Sequence, residues 1–224
     1  IYKKIKPGSG IGSSGASATG SVYAINELLG RPFNKLELTK FAMKGEFIAS
    51  KSEHADNIAP AIFGGFCLVK NLHPLNVLQL PTPKDLYAII LHPQIEIKTS
   101  ESRKILPKMV HLSDVTKQLS DLGGLVHGLH TDNYNLIKSS LNDHIIEEYR
   151  SKLIPNFDII KSKVLEAGAL GCSISGSGPS IFALTRGNDL ATEVELVFKS
   201  IYSKSNINFT THISKISSNG VVTI

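Results

Sequence analysis

A run rich in glycine and serine near the start of the chain has the composition of a phosphate-binding loop. Its glycines alternate with other residues at Gly8, Gly10 and Gly12, so the backbone can turn tightly and approach a ligand without side-chain interference. The helix predicted next offers unpaired N–H groups and the positive end of its dipole to a polyphosphate. A serine hydroxyl in the first turn can reach a phosphate-bound Mg²⁺. The predicted loop consists of Pro7, Gly8, Ser9, Gly10, Ile11, Gly12, Ser13, Ser14, Gly15, Ala16 and Ser17.

This loop differs from the Walker pattern, because no lysine follows in a Gly-Lys-Ser/Thr arrangement. Residues 10–15 do have the Gly-x-Gly-x-x-Gly spacing of a dinucleotide fold, but the chain lacks the regular β-α-β alternation of that fold, which disfavours it. A glycine-rich turn capped by serines is the alternative interpretation.

A second set of polar residues lies between a predicted helix and a predicted strand. His54, Asp56 and Asn57 fall within four residues and suit the wall of a pocket, although a polar turn with an Asx cap explains Asp56 and Asn57 equally well. Asn57 cannot accept a proton as a carboxylate does, whereas the imidazole of His54 titrates near neutrality. Glu46, late on the preceding helix, is by spacing alone a solvated charge.

Arginine is scarce in the chain, with only four among 24 basic residues. A guanidinium group is the side chain best suited to binding a carboxylate, which makes Arg103 and Arg150 candidates for that role. Surface solvation, or pairing of Arg150 with Glu147, is the simpler explanation. Further along, a glycine turn at residues 176–179 joins two apolar strands, and its backbone can approach the first loop.

The elements that position these residues mix helices and strands without regular β-α-β alternation, which favours an α+β fold in two lobes, 1–82 and 83–224. Asn34 and Glu37 resemble a capping box at the start of the second helix. A linker is predicted over 71–84, where prolines cluster. Helices are predicted over 18–29, 34–48, 112–126, onward to about 142, 155–166 and 189–203, and strands over 1–5, 62–69, 86–91, 169–175, 180–185, 210–216 and 221–224.

Composition is that of an ordinary globular protein, with 42% hydrophobic and 19% charged residues. No stretch approaches the roughly 20 apolar residues that span a bilayer, so no membrane association is expected. Cys67 and Cys172 cannot form a disulfide framework and suit a reducing cytoplasm. The mild positive charge suits anionic ligands. The lysines are scattered and tryptophan is absent, which disfavours nucleic-acid binding.

The glycine-serine run resembles the second motif of the GHMP kinases, the superfamily of galactokinase, homoserine kinase and mevalonate kinase. Residues 52–65 are similar to the homoserine kinase pattern Ser-x-His-x-Asp-Asn followed by Ala-Pro and Gly-Gly, and Gly171–Leu184 resembles the third motif of the superfamily. The resemblance implies a two-lobed GHMP kinase architecture, with a truncated ribosomal-S5-domain-2-like N-terminal lobe and a ferredoxin-like C-terminal lobe.

The resemblance also implies roles for individual residues. The loop wraps the phosphates of ATP, while Ser14 and Glu46 hold Mg²⁺. His54 and Asn57 face the substrate, Asp56 supports them, and Arg103 and Arg150 hold the carboxylate of L-homoserine. Phosphorylation of the homoserine hydroxyl, the step before threonine synthesis, would then depend on positioning and charge stabilisation.

Two alternatives remain open at this point. Another GHMP kinase, acting on mevalonate, shikimate or a sugar, is disfavoured by Asn57 in place of an aspartate and by the two arginines. A non-catalytic or ribosome-associated module is disfavoured by the phosphate loop and the lack of a basic face. Homoserine kinases carry a further N-terminal portion with a first motif, so the chain by itself is expected to be inactive. The remaining histidines lack zinc-ligand spacing, and the sequence leaves a homodimer open.

Overall fold

The chain folds into two compact units in the computed structural model, which describes residues 3–50, 53–97 and 99–223. The first unit contains Ile1–Pro7, Gly12–Thr82 and Ser217–Ile224, and the second contains Gly8–Ile11 and Pro83–Ile216.

The predicted domain boundary after residue 82 lies where the chain passes from the first unit to the second. Two stretches depart from the predicted division, because residues 8–11 group with the second unit and residues 217–224 with the first. Neither grouping could be read from chain order, since each depends on contacts with residues far along the sequence.

Among the described residues, three helices and a β-hairpin form the first unit. Helix α1 spans Ser13–Leu28, α2 spans Lys35–Ser50 and α3 spans Ile58–Phe63. Strands β1 (Phe66–Leu72) and β2 (Leu75–Leu80) pair antiparallel. Their apolar side chains share one core, formed by Leu38, Ala42, Met43, Ala55, Ile58, Ile62 and Leu75.

The predicted capping box at the start of α2 is confirmed. The Asn34 side-chain oxygen accepts hydrogen bonds from the backbone N–H groups of Leu36 and Glu37, both at 3.0 Å. In return, the Glu37 carboxylate accepts from the backbone N–H of Asn34 at 2.9 Å. These bonds satisfy N–H groups that the first turn of a helix leaves without partners.

Three predictions in the first unit are wrong. Residues 62 and 63 end α3 instead of opening a strand, and β1 starts only at Phe66. The predicted linker over 71–84 contains β2, because its prolines lie in the hairpin turn and after the strand and leave Leu75–Leu80 free to pair. Of the predicted opening strand, residues 3–5 form no strand and residues 1 and 2 lie outside the described part.

Residues from the C-terminal end complete the first unit. The N–H of Gly65 donates to the Ser217 carbonyl at 2.7 Å, and the N–H of Val221 donates to the Ala61 carbonyl at 2.8 Å. Residues 221–223 are not in a strand, contrary to prediction, because Val221 bonds to the α3 region and the Thr223 hydroxyl donates to Glu27 of α1 at 3.4 Å instead of to a sheet. Residue 224, also part of that predicted strand, lies outside the described residues.

A four-stranded antiparallel sheet is the centre of the second unit. Its strands are β3 (Leu86–Pro93), β4 (Gly171–Ile174), β5 (Ile181–Arg186) and β6 (Phe209–Lys215), in the spatial order β4-β5-β3-β6. This is the strand order of a ferredoxin-like sheet, so the predicted lobe type is confirmed.

Six helices complete the second unit among the described residues. They are α4 (Thr99–Lys104), α5 (Leu112–His130), α6 (Tyr134–Ser139), α7 (Glu147–Arg150, followed by a 3₁₀ turn at Ser151–Leu153), α8 (Phe157–Glu166) and α9 (Asn188–Tyr202). Helices α8 and α9 pack on the sheet through a core that includes Ile89, Leu91, Ile160, Val164, Cys172, Ile181, Val194 and Phe198.

Helix α5 occupies the region predicted for it, yet several of the apolar residues that predicted it are exposed. Leu112 is 80% exposed and Leu119 is 61% exposed. Apolar spacing therefore identified the helix without identifying a buried face. Within the described ranges, no helix combines the length and apolar character needed to cross a membrane.

The capping box predicts a measurable loss of stability. Asn34→Ala removes the acceptor of two backbone hydrogen bonds and should lower the free energy of unfolding by about 1 kcal/mol, as measured by urea denaturation. Asn188→Ala is the matched control, because Asn188 is exposed in the first turn of α9, where no side-chain cap is made. Equal losses in the two variants would contradict the capping role of Asn34.

Candidate active site

The backbone of the glycine-serine loop adopts the conformation that its glycines permit. Gly8, Gly10 and Gly12 have φ values of 74°, 80° and 76°, in the left-handed region that other residues rarely occupy. The alternate glycines are thus required by the path of the chain.

Gly10 is also fixed by contact with the second glycine turn, within the second unit. A Cβ atom on Gly10 would lie 2.5 Å from the Gly178 carbonyl oxygen and 2.7 Å from that of Ser175. The Ser175 hydroxyl donates to the Gly10 carbonyl at 2.9 Å, and the N–H of Ser180 donates to the Ser9 carbonyl at 3.3 Å. The predicted approach of this turn to the first loop is confirmed.

Helix α1 begins directly after the loop with an uncapped first turn. Gly12 is its N-cap residue, and no side chain makes a capping hydrogen bond there. The N–H groups of the first turn and the helix dipole therefore face whatever ligand lies before the helix, an arrangement that favours an anion.

The two serines at the start of α1 have different partners. Ser13 is buried and its hydroxyl donates to the Ile5 carbonyl at 2.8 Å. The Ser14 hydroxyl instead donates to Oε1 of Glu46 at 2.7 Å. Glu46 is only 7% exposed, so the structure contradicts the interpretation of this residue as a solvated charge.

A hydroxyl and a carboxylate in contact provide hard oxygen ligands of the kind that Mg²⁺ prefers. Mg²⁺ usually keeps several waters and phosphate oxygens besides one or two protein ligands. No group of three or more histidine, cysteine or acidic residues suited to a metal occurs among residues 3–50, 53–97 and 99–223. The Ser14–Glu46 pair therefore suits a Mg²⁺ that keeps phosphate oxygens and waters as its other ligands.

Asn57 lies against the first turn of α1. A Cβ on Gly12 would be 2.9 Å from Oδ1 of Asn57, and one on Gly15 would be 3.1 Å from the Asn57 Cβ. The structure thus brings Asn57 to Gly12 and Gly15, which are 45 and 42 residues away in sequence. Glycine at these two positions makes the approach possible.

The residues next to Asn57 are less closely tied to the loop. Asp56 is exposed, and its Oδ1 accepts a hydrogen bond from the backbone N–H of the next residue, Asn57, at 3.1 Å. Asn57 is the N-cap residue of α3 but its side chain makes no capping hydrogen bond, so the alternative of an Asx cap at Asn57 is wrong. His54 is half-buried. Ser52, which belongs to the same sequence pattern, lies outside the described residues.

In the second unit, Arg150 reaches the second glycine turn. Its Nη1 donates to the Gly176 carbonyl at 2.8 Å. Partial burial lowers the pKa of Arg150; the carboxylate of Asp143 opposes that shift, and the positive charge of Arg103 adds to it. The two predicted arginines are thus close enough for each charge to influence the other.

The suggested pairing of Arg150 with Glu147 is wrong. Glu147 is buried, and its carboxylate forms an ion pair with Lys161 and accepts a hydrogen bond from the Ser173 hydroxyl at 2.6 Å. Among the residues that the structure describes, no carboxylate is in ion-pair contact with Arg150.

Arg103 is exposed near the end of α4, and the residue before it holds that helix to the glycine turn. The fully buried hydroxyl of Ser102 donates to the Ser177 carbonyl at 3.2 Å. Sequence reasoning missed Ser102, Glu147 and Ser175 as parts of this arrangement. Only Ser175 carried a signal, as a neighbour of the glycines in the second turn.

A cavity of about 400 Å³ also lies in the second unit, lined by residues of α6, α8 and β4 such as Lys138, Lys161 and Cys172. None of the predicted site residues lines it.

Comparison with known families agrees with this combination of fold and loop. Residues 1–65 match the family described as GHMP kinases N terminal domain, and residues 121–204 match GHMP kinases C terminal. The two matches define the class as a GHMP kinase.

Comparison with individual relatives narrows the assignment from the GHMP kinase class to one family within it. The chain is 45% identical over 203 residues to a homoserine kinase of Chlorobium phaeobacteroides, covering 91% of this chain and 63% of the relative. It is 42% identical over 222 residues to a homoserine kinase of Chlorobaculum tepidum, covering 98% of this chain and 68% of the relative. The crystal structure of homoserine kinase from Cytophaga hutchinsonii is 49% identical with a TM-score of 0.94, covering 97% of this chain and 69% of that one.

The chain therefore belongs to the homoserine kinase family of the GHMP kinases. It spans 63% and 68% of the lengths of the two curated relatives. A mevalonate kinase of L. major, 18% identical with a TM-score of 0.73, shares the fold.

The Gly10 contact leads to a prediction about the two glycines. Gly8→Ala places a side chain in open space at a positive φ and should lower the free energy of unfolding by about 1 kcal/mol. Gly10→Ala adds an overlap with two carbonyl oxygens and should lower it by about 1–3 kcal/mol more. Chemical denaturation of both variants measures the difference. Equal effects would contradict the tight contact between Gly10 and the turn.

Proposed function

We propose that the protein containing this chain is an ATP-dependent homoserine kinase. The reaction transfers the γ-phosphoryl group of ATP to the side-chain hydroxyl of L-homoserine and gives ADP and O-phospho-L-homoserine, an intermediate on the way to threonine. The observation that carries the proposal is the Ser14–Glu46 contact at the uncapped start of α1, in a chain of this family. The free thiols Cys67 and Cys172 suit a reducing compartment such as the cytoplasm.

The loop and α1 bind the triphosphate in this proposal. The backbone N–H groups of residues 8–15 and the positive end of the α1 dipole neutralise phosphate charge. Ser14 and Glu46 hold the Mg²⁺ that, when bound, offsets negative charge on the phosphoryl group being transferred. Ser13 has a structural role instead. Its hydroxyl donates a hydrogen bond to the Ile5 carbonyl, which fixes the segment that leads into α1.

The acceptor is recognised by its charge and its hydroxyl group. Arg103 and Arg150 bind the homoserine carboxylate, for which a guanidinium fork provides parallel N–H donors. Asn57 orients the attacking hydroxyl, with His54 facing the substrate and Asp56 holding the Asn57 backbone. The hydroxyl proton goes to His54 or to solvent, since Asn57 cannot take it.

Positioning is sufficient for this chemistry because the transition state of phosphoryl transfer is loose. Little assistance from a base is needed when donor and acceptor are in line and the charge on the transferred group is neutralised. A side chain that orients the hydroxyl, such as Asn57, can therefore replace a carboxylate base.

The choice of acceptor can be tested directly. ADP release by the full-length gene product should be fastest with L-homoserine, when homoserine, mevalonate and shikimate are compared at equal concentrations. 3-Aminopropan-1-ol, which is homoserine without its carboxylate, should be turned over poorly because the arginines have nothing to bind. Preference for mevalonate or shikimate would reject the proposal.

The metal role of Glu46 gives a second test. Glu46→Gln keeps a hydrogen-bond acceptor for Ser14 but removes the charge, and should raise the Mg²⁺ concentration that gives half-maximal rate by about tenfold. A titration of rate against free Mg²⁺ measures this. Glu27→Gln is the control, since Glu27 pairs with Arg31 on the surface of the same unit. An unchanged Mg²⁺ requirement in Glu46→Gln would remove Glu46 from the metal site.

A further inference from the structure

The buried carboxylate of Glu147 links its own helix to two other elements of the second unit. It lies on α7, pairs with Lys161 of α8 and accepts the hydroxyl hydrogen bond of Ser173 on β4. Both of its oxygens have partners, as a buried charge requires. The reaction proposed above assigns no role to any of these three residues.

The helix that carries Glu147 has little stability of its own. Helix α7 is a single turn of four residues, too short to form without tertiary contacts. A buried ion pair is weak evidence for stability, because desolvation offsets much of the attraction, but it can fix one geometry among several. The Glu147 contacts therefore determine where this turn lies relative to β4.

Arg150 is the last residue of α7, and its side chain reaches the residues that follow β4. The chain runs from the end of β4 through Ser175 to Gly176, whose carbonyl accepts a hydrogen bond from Nη1 of Arg150. The backbone of Arg150 is thus held to β4 through Glu147, and its guanidinium group is held to the residues that follow β4. Two restraints on a long side chain define the direction of its remaining N–H donors.

We infer that Glu147 is a positioning residue that acts through Arg150 to orient the guanidinium group toward the carboxylate of the acceptor. The inference rests on the proposed function, since it concerns how the same acceptor is held. Lys161 and Ser173 share the role, because each fixes one oxygen of Glu147.

Two variants of the full-length enzyme test the inference, with KM for homoserine and for ATP measured separately. Glu147→Gln should raise the homoserine KM about tenfold, and Ser173→Ala, which leaves the ion pair in place, about threefold. The ATP KM should stay within about twofold in both, because the displaced group does not bind phosphate. Ser173→Ala keeps the test available if Glu147→Gln fails to fold.

Glu166→Gln is the matched control. Glu166 also accepts hydrogen bonds from a lysine and a serine, Lys163 and Ser162, but on the exposed surface of α8. Its homoserine KM should equal that of the unchanged enzyme.

A double-mutant comparison separates positioning from general damage. In an Arg150→Ala background, Glu147→Gln should cause no further rise in the homoserine KM. The inference would be overturned if the two substitutions raised the homoserine KM independently, so that their effects multiplied. It would also be overturned by parallel rises in the homoserine and ATP KM values, or by no change in either single variant. If the unchanged enzyme fails to phosphorylate homoserine, the proposed function falls and the inference falls with it. If that enzyme is active and the variants match it, only the inference falls.

Discussion

Much of the candidate site depends on one close contact between two stretches of backbone. At Gly10 the loop comes so near the turn at residues 175–178 that no side chain fits. Such a contact cannot yield by rotating a side chain, because both partners are main chain. The position of residues 8–11 is therefore set by the turn, and the turn by the two strands that it joins.

The same turn holds more than the loop. Ser175 bonds to Gly10, Gly176 accepts from Arg150 and Ser177 accepts from Ser102, the residue before Arg103. Three consecutive residues thus fix one segment proposed to bind phosphate and two proposed to bind a carboxylate. The strands beside the turn belong to the core of the second unit, since β4 and β5 pair in continuous register and contribute Cys172 and Ile181 to that core. Functional loops held by a rigid sheet are the usual way in which folds keep such geometry.

The sequence predicted the parts of the fold and of the site that depend on local chemistry. Each can be read within a few residues, as for the alternate glycines at residues 8, 10 and 12 and the Asn34 capping box. The Ser14–Glu46 contact was anticipated only through the family resemblance, because spacing alone suggested a solvated charge. The hairpin of β1 and β2 was missed because a cluster of prolines usually indicates a linker, whereas these prolines lie outside the paired residues.

The partners of Glu147 were missed for a different reason. Lys161 and Ser173 are 14 and 26 residues away, so only the packing of α7, α8 and β4 brings them together.

Glu147 pairs with Lys161 instead of Arg150, and this changes the charges that surround Arg150. A glutamate three residues before an arginine on a helix normally neutralises it. Here Lys161 and Ser173 occupy that carboxylate, and both oxygens of Glu147 are taken. Asp143 supplies only a moderating charge, and its Oδ1 is itself held by the N–H groups of Ile145 and Ile146. Arg150 is left partly buried, near a second arginine and without an ion-pair partner among the described residues. The acceptor carboxylate proposed above would supply the ion-pair partner that Arg150 lacks among those residues.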